Sequence, residues 1–144
     1  MSFPVPKAGL VIRYAFLWSH EEHSGAQEAS KDRPCAIVIA VPRRDGGDLR
    51  VIVAPVTHAP PTKPSDSLKL PPTVCRSLGL DSGRHWLRLD ELNLFSWPGY
   101  DLRTIPGKPG IYAYGMLPQS LFEQIRRAIL ERQRVTAPRI QARD

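Results

Sequence analysis

Lys31-Asp32-Arg33-Pro34-Cys35-Ala36-Ile37-Val38-Ile39-Ala40-Val41, followed after a turn by Val51-Ile52-Val53-Ala54-Pro55-Val56-Thr57-His58, is the stretch that decides the fold. Both halves are continuous apolar runs rich in Val and Ile and bounded by turn residues, the pattern of strands buried on both faces. Between them, Arg43-Arg44-Asp45-Gly46-Gly47-Asp48 reads as a turn, so the two strands form a hairpin. Each strand carries one polar reagent at its edge, Arg33 on the first and Thr57 on the second. A hairpin brings them to one rim of the sheet, where a guanidinium and a hydroxyl make a phosphate-binding pair.

Outward from this hairpin, the stretch from Gly9 to Trp18 is aromatic and β-branched and predicts a first strand. Residues 19–32 then form a long polar loop, a length that in a compact domain is more often functional than inert. Past Thr57, Pro60, Pro61 and Pro64 stiffen an irregular segment and prevent regular pairing. Leu68-Lys69-Leu70 alternates as a short strand, and the stretch from Pro72 to Leu80 is a helical turn closed by Gly79. From His85 to Phe95 a strand signal changes parity, with Leu87 and Leu89 on one side and Leu92 and Leu94 on the other. A bulge or bend near Asp90-Glu91 reconciles the two. Ile111-Tyr112-Ala113-Tyr114-Gly115-Met116 is expected to be the last strand. A helix starts near Pro118, with Leu121, Phe122, Ile125, Ala128 and Ile129 on one face. Residues 1–134 thus read as one domain and residues 135–144 as a basic, frayed tail. The pattern is mainly β with a C-terminal helix, a small, strongly curved sheet or partly open barrel on which the helix packs.

At 144 residues the chain is long enough to bury a core without staples. A formal charge of +6 is a moderate bias towards polyanions, including nucleic acid. Two cysteines, Cys35 within a strand and Cys75 in a polar stretch, form neither a disulfide framework nor a metal-ligand spacing. His20 and His23 stand at i,i+3 without a third ligand, so neither a metal nor another cofactor is expected. The first residues lack the regions of a signal peptide, and no apolar run has the length of a membrane span. A cytoplasmic protein without a membrane partner is the expectation.

The order of these motifs resembles the MazF/PemK toxins of bacterial toxin–antitoxin modules. Gly9-Leu10-Val11 opens the first strand, and Arg33-Pro34 leads into a Val/Ile strand. Val53-Ala54-Pro55-Val56-Thr57 ends the next, and the stretch from Trp86 to Asn93 is similar to a later strand of the family. Gly115-Met116-Leu117-Pro118, followed by Leu121-Phe122, resembles the start of its C-terminal helix. The resemblance implies an SH3-like small barrel of the MazF/PemK/CcdB type, a homodimer, and an endoribonuclease that cuts single-stranded RNA without a metal. It also implies a cognate antitoxin protein as partner. In such proteins the arginine of Arg-Pro and the threonine ending the next strand are the catalytic pair, roles that fall here on Arg33 and Thr57. Lys31, Asp32 and His58 flank them as candidates for an auxiliary catalytic or RNA-binding part.

Physical chemistry agrees with that assignment. RNA brings its own nucleophile, the 2′-hydroxyl, so a protein need only position it, move protons and stabilise the phosphorane. Arg33 offers fixed donors and a permanent charge, and Thr57 a hydroxyl that donates or accepts. Two alternatives share the fold: a non-catalytic RNA-binding or regulatory domain, and a gyrase-inhibiting CcdB-like toxin. The second depends on a Trp-containing C-terminal end, which Gln141-Ala142-Arg143-Asp144 does not resemble.

Overall fold

A computed structural model describes residues 3–18, 31–42 and 49–143 of the chain. The turn at 43–48 and most of the polar loop, residues 19–30, lie outside them. The elements in chain order are β1 (Leu10–Phe16), β2 (Lys31–Pro42), β3 (Leu49–Thr57), a 3-10 turn (Pro64–Asp66) and β4 (Ser67–Lys69). There follow α1 (Pro72–Ser77), β5 (Trp86–Arg88), β6 (Glu91–Ser96), β7 (Leu102–Arg103), β8 (Ala113–Met116), α2 (Gln119–Val135) and β9 (Arg139–Ala142).

The hairpin forms as the sequence predicts. β2 pairs antiparallel with β3, with Cys35 opposite Pro55 and Ala36 opposite Ala54, and β1 lies antiparallel on the other side of β2. Alternation then sorts side chains into two cores, one on each face of the sheet. Ala36, Ala54, Val56 and Leu87 pack on one face with Leu121, Phe122 and Ile125 of α2. Cys35, Ile37, Val51 and Val53 pack on the other with Ile12, Tyr14, Phe16 and Phe95. This two-sided burial is the reason the strands read as unbroken apolar runs. It holds along β3 but only for the first half of β2, because Ile39 and Val41 are about half exposed.

Both long flanking strands are shared between two partners. The first half of β3 pairs with β6, whereas its end pairs with β5, Thr57 lying opposite Trp86. β1 likewise divides between β8 and β7. Register shifts fall between Ile37 and Ile39 in β2 and between Val11 and Ile12 in β1, and such irregularities bend a sheet. The nine strands form one bent, mostly antiparallel sheet that does not close into a barrel. The coarser expectation, mainly β with a C-terminal helix, is therefore met.

Two local expectations are met in a particular form and a third needs correction. The parity change after Leu89 is the expected bend, at Leu89-Asp90, and not a bulge within one strand. It separates two strands, β5 and β6, which pair with different parts of β3. Pro118 is the N-cap of α2, one position before the helix, with an extended ψ of 144° that its fixed φ tolerates. The chain beyond Val135, expected to fray, forms β9 instead. It pairs in parallel with β6, Ile140 lying opposite Leu92, so the strand at 113–116 is not the last. Among the described residues, no helix is long and apolar enough to cross a membrane.

Candidate functional site

β2 and β3 fix the two residues on which the sequence reading rests. The ladder between them ends at Cys35 opposite Pro55, with Arg33 two residues before Cys35 and Thr57 two residues after Pro55, at the same end of the hairpin. Both line a cleft of about 630 Å³, together with Asp32, His58, Arg13 and Tyr114. Twenty-four positions apart in sequence, the guanidinium and the hydroxyl reach one rim because the hairpin register puts them there. Lys31 is the first residue of β2 and pairs with Phe16.

Local contacts hold each group. The Arg33 guanidinium carbon lies 5.0 Å from the centre of the Trp18 ring, a cation–π distance. Arg88 lies at 5.1 Å from the same ring and is itself held by a bidentate bond to Asp90, at 2.7 and 2.6 Å. Trp18 is thus a platform between two arginines. Thr57 Oγ1 accepts a hydrogen bond from the Ala59 N–H at 3.2 Å, the local turn that a strand-end threonine favours. With its oxygen engaged by the backbone, the hydroxyl proton remains to be donated.

Asp32, beside Arg33 in sequence, has its carboxylate 3.8 Å from Nε of Arg103. His58 does not stand alone. Its Nε2 lies 3.1 Å from one carboxylate oxygen of Asp81, whose other oxygen lies 3.2 Å from Nε2 of His85. The two imidazole rings are 4.6 Å apart. Gly83 makes this approach feasible: a Cβ there would fall 2.9 Å from Nδ1 of His58, and its N–H donates to Asp81 Oδ1 at 3.0 Å. That bond, with the two histidines, holds the Asp81 carboxyl below the ordinary carboxylate range. Burial pushes the imidazole of His85 below its ordinary pKa, against the pull of Asp81, and His58 adds to the depression.

Sequence reasoning missed Arg13, Tyr114, Asp81 and His85. Arg13 donates to the Tyr114 hydroxyl at 3.0 Å on the wall of the cleft. Its signal was a single charge inside an otherwise apolar strand. Asp81 and His85 gave only an i,i+4 spacing in a loop, where such a spacing has no fixed meaning. His20, Glu21, Glu22 and His23, weighed as a metal motif, lie outside the described residues.

A larger cleft of about 730 Å³ lies between the 3-10 turn and the end of α2. Four of its charged groups are matched within the fold, Arg132 to Asp66 at 3.1 Å and Arg88 to Asp90. It reads as the joint between α2 and the sheet, and the smaller cleft is the better site candidate. No protein-family model and no curated protein matches the chain. The functional reading therefore stands on sequence pattern and on this geometry.

Proposed function

We propose that the chain is a MazF/PemK-type toxin, the endoribonuclease of a type II toxin–antitoxin system. In this reading it acts in the cytoplasm as a homodimer on a partly open, SH3-like barrel and is held inactive by a cognate antitoxin. It cuts single-stranded RNA by transesterification without a metal in the reaction. The observation that supports it best is that Arg33 and Thr57, from the same end of the β2–β3 hairpin, line one cleft.

The chemistry follows from those two groups. The 2′-oxygen of RNA attacks the adjacent phosphorus, the P–O5′ bond breaks, and a 2′,3′-cyclic phosphate and a 5′-hydroxyl result. The proton lost from the 2′-hydroxyl goes to a base, and the departing 5′-oxygen gains one from an acid. Arg33 supplies donors to the equatorial oxygens, where negative charge grows. Thr57 donates its hydroxyl proton to the same phosphate and fixes its position. His58, next in the chain, lines the same cleft.

The test is cleavage of a mixed-sequence single-stranded RNA in EDTA by the chain and by Arg33→Ala and Thr57→Ala. Removing one preorganised transition-state donor costs about 2.7–4 kcal/mol, roughly 10²–10³-fold in rate. Cleavage with 5′-hydroxyl ends that falls this far in both variants supports the reading. RNA binding without cleavage by any form would turn it towards the non-catalytic alternative.

A further inference from the structure

The His58–Asp81–His85 cluster is larger than a ribonuclease of this kind requires. Each residue offers one ligand atom, and the three atoms lie within 4.8 Å of one another. They come from two chain segments, the end of β3 and the loop between α1 and β5, joined where Gly83 lets His58 close in. Zn²⁺ bound to nitrogen and carboxylate oxygen at about 2.0–2.1 Å in a tetrahedron has ligand atoms about 3.4 Å apart. His58 Nε2 and His85 Nε2 lie 3.1 and 3.2 Å from different oxygens of Asp81, each close to that spacing, and the exposed His58 and Asp81 side chains have room to turn so that one ligand atom from each closes on an ion.

The geometry points to a first-row transition-metal site, with His58, Asp81 and His85 as ligands and Zn²⁺ as the ion it fits. Two imidazoles and one carboxylate are a borderline-soft donor set, suited to Zn²⁺ and its neighbours rather than to Mg²⁺ or Ca²⁺, which favour all-oxygen shells. His85 is anchored by burial at 4% exposure, while His58 and Asp81 are open to solvent. The buried residue thus sets the position of the ion and the two exposed ones complete its shell. Three protein ligands leave one position free. All three line the cleft beside Thr57, so that position takes a water from the cleft.

This site stands apart from the ribonuclease reading, since metal affinity is measured without RNA. The metal-stripped full chain is titrated with Co²⁺, followed by its visible d–d absorption, and then with Zn²⁺ as competitor. The expected result is one equivalent of four-coordinate Co²⁺, displaced by Zn²⁺ as the order of stabilities requires. His58→Ala and Asp81→Asn, both at exposed positions and checked for folding by far-ultraviolet circular dichroism, should each weaken binding. Each should lose more than the 10–100-fold typical of an outer-shell partner. Absence of saturable binding overturns the proposal. So does wild-type affinity in both folded variants, which would assign the ion elsewhere on the chain.

Discussion

Asn93 ties the far end of β1 to the centre of the sheet, and removing its side chain should cost more than any single surface contact near the cleft. The residue has no exposure at all. Its Oδ1 accepts from the Leu17 N–H at 2.9 Å, and its Nδ2 donates to the carbonyls of Leu17 at 2.9 Å and Leu92 at 3.0 Å. Asn93→Ala leaves both backbone groups of Leu17 without these partners, beside a side chain only 6% exposed. An orphaned buried polar group costs about 1–3 kcal/mol, so the pair gives about 4 kcal/mol at mid-range. With a urea m-value of about 2 kcal/mol/M, the midpoint falls by about 2 M. That is a large part of the roughly 5–15 kcal/mol a domain of this size holds.

The consequence for the site runs through the next residue. Leu17 precedes Trp18, whose ring packs against Phe16 at 5.0 Å and carries Arg33 and Arg88. Loss of the clamp should therefore loosen the Arg33 guanidinium as well as destabilise the fold. Asn93→Asp is the discriminating companion. It keeps the shape and the acceptor for Leu17 N–H but turns an acceptor towards two carbonyls that need a donor. It should be at least as unstable as Asn93→Ala at neutral pH and recover in part on acidification, when a protonated carboxyl donates again. A loss below about 1 kcal/mol in Asn93→Ala at an unchanged m-value would refute the clamp.

Trp18→Ala should reduce RNA cleavage in the assay above by about 2–30-fold, the worth of one partly desolvated cation–π contact at roughly 0.5–2 kcal/mol; an unchanged rate removes the platform from the site. Burial raises the pKa of Asp90, but the bidentate bond and charge of Arg88 outweigh it and hold the carboxyl below its ordinary value. A depressed folded-state pKa gives stability that is present above the unfolded value, about 3.9, and is lost as pH falls through the folded one. Asp90→Asn should therefore cost about 1.5–3 kcal/mol at pH 7 in urea denaturation, a gap that narrows below pH 4; a gap that stays constant with pH would sink this account. Cys35 and Cys75 are both buried, and burial raises both thiol pKa values. A thiol reagent should label neither until the chain unfolds, and fast labelling of the native protein would contradict the packing of β2 or α1.

What the sequence made legible follows the range of the forces involved. β2 and β3 were readable because burial on both faces writes itself into consecutive residues, with no distant partner needed. Arg33 and Thr57 were readable for the same reason, since a hairpin register is a local matter. Helix α2 announced its face by spacing alone, and Leu121, Phe122 and Ile125 are its buried residues. The division of β3 between β5 and β6 was not readable, because it depends on which distant strand reaches each half of β3. Nor was β9: Arg139-Ile140-Gln141-Ala142 has little apolar content, and its order comes from backbone hydrogen bonds offered by the edge of β6.

The same distinction governs the cleft. A threonine and an arginine at strand edges carry their positions with them, whereas His85 acquires meaning only when its loop folds against the end of β3. Asp81 is exposed and unremarkable in sequence, yet its carboxylate contacts both histidines. Its carboxylate bridges a buried imidazole and an exposed one in the cleft that Thr57 also lines. A phosphate entering this cleft meets Arg13 and Arg33 as well as this bridge. An ion held by the same three residues would add positive charge to that bridge at constant sequence.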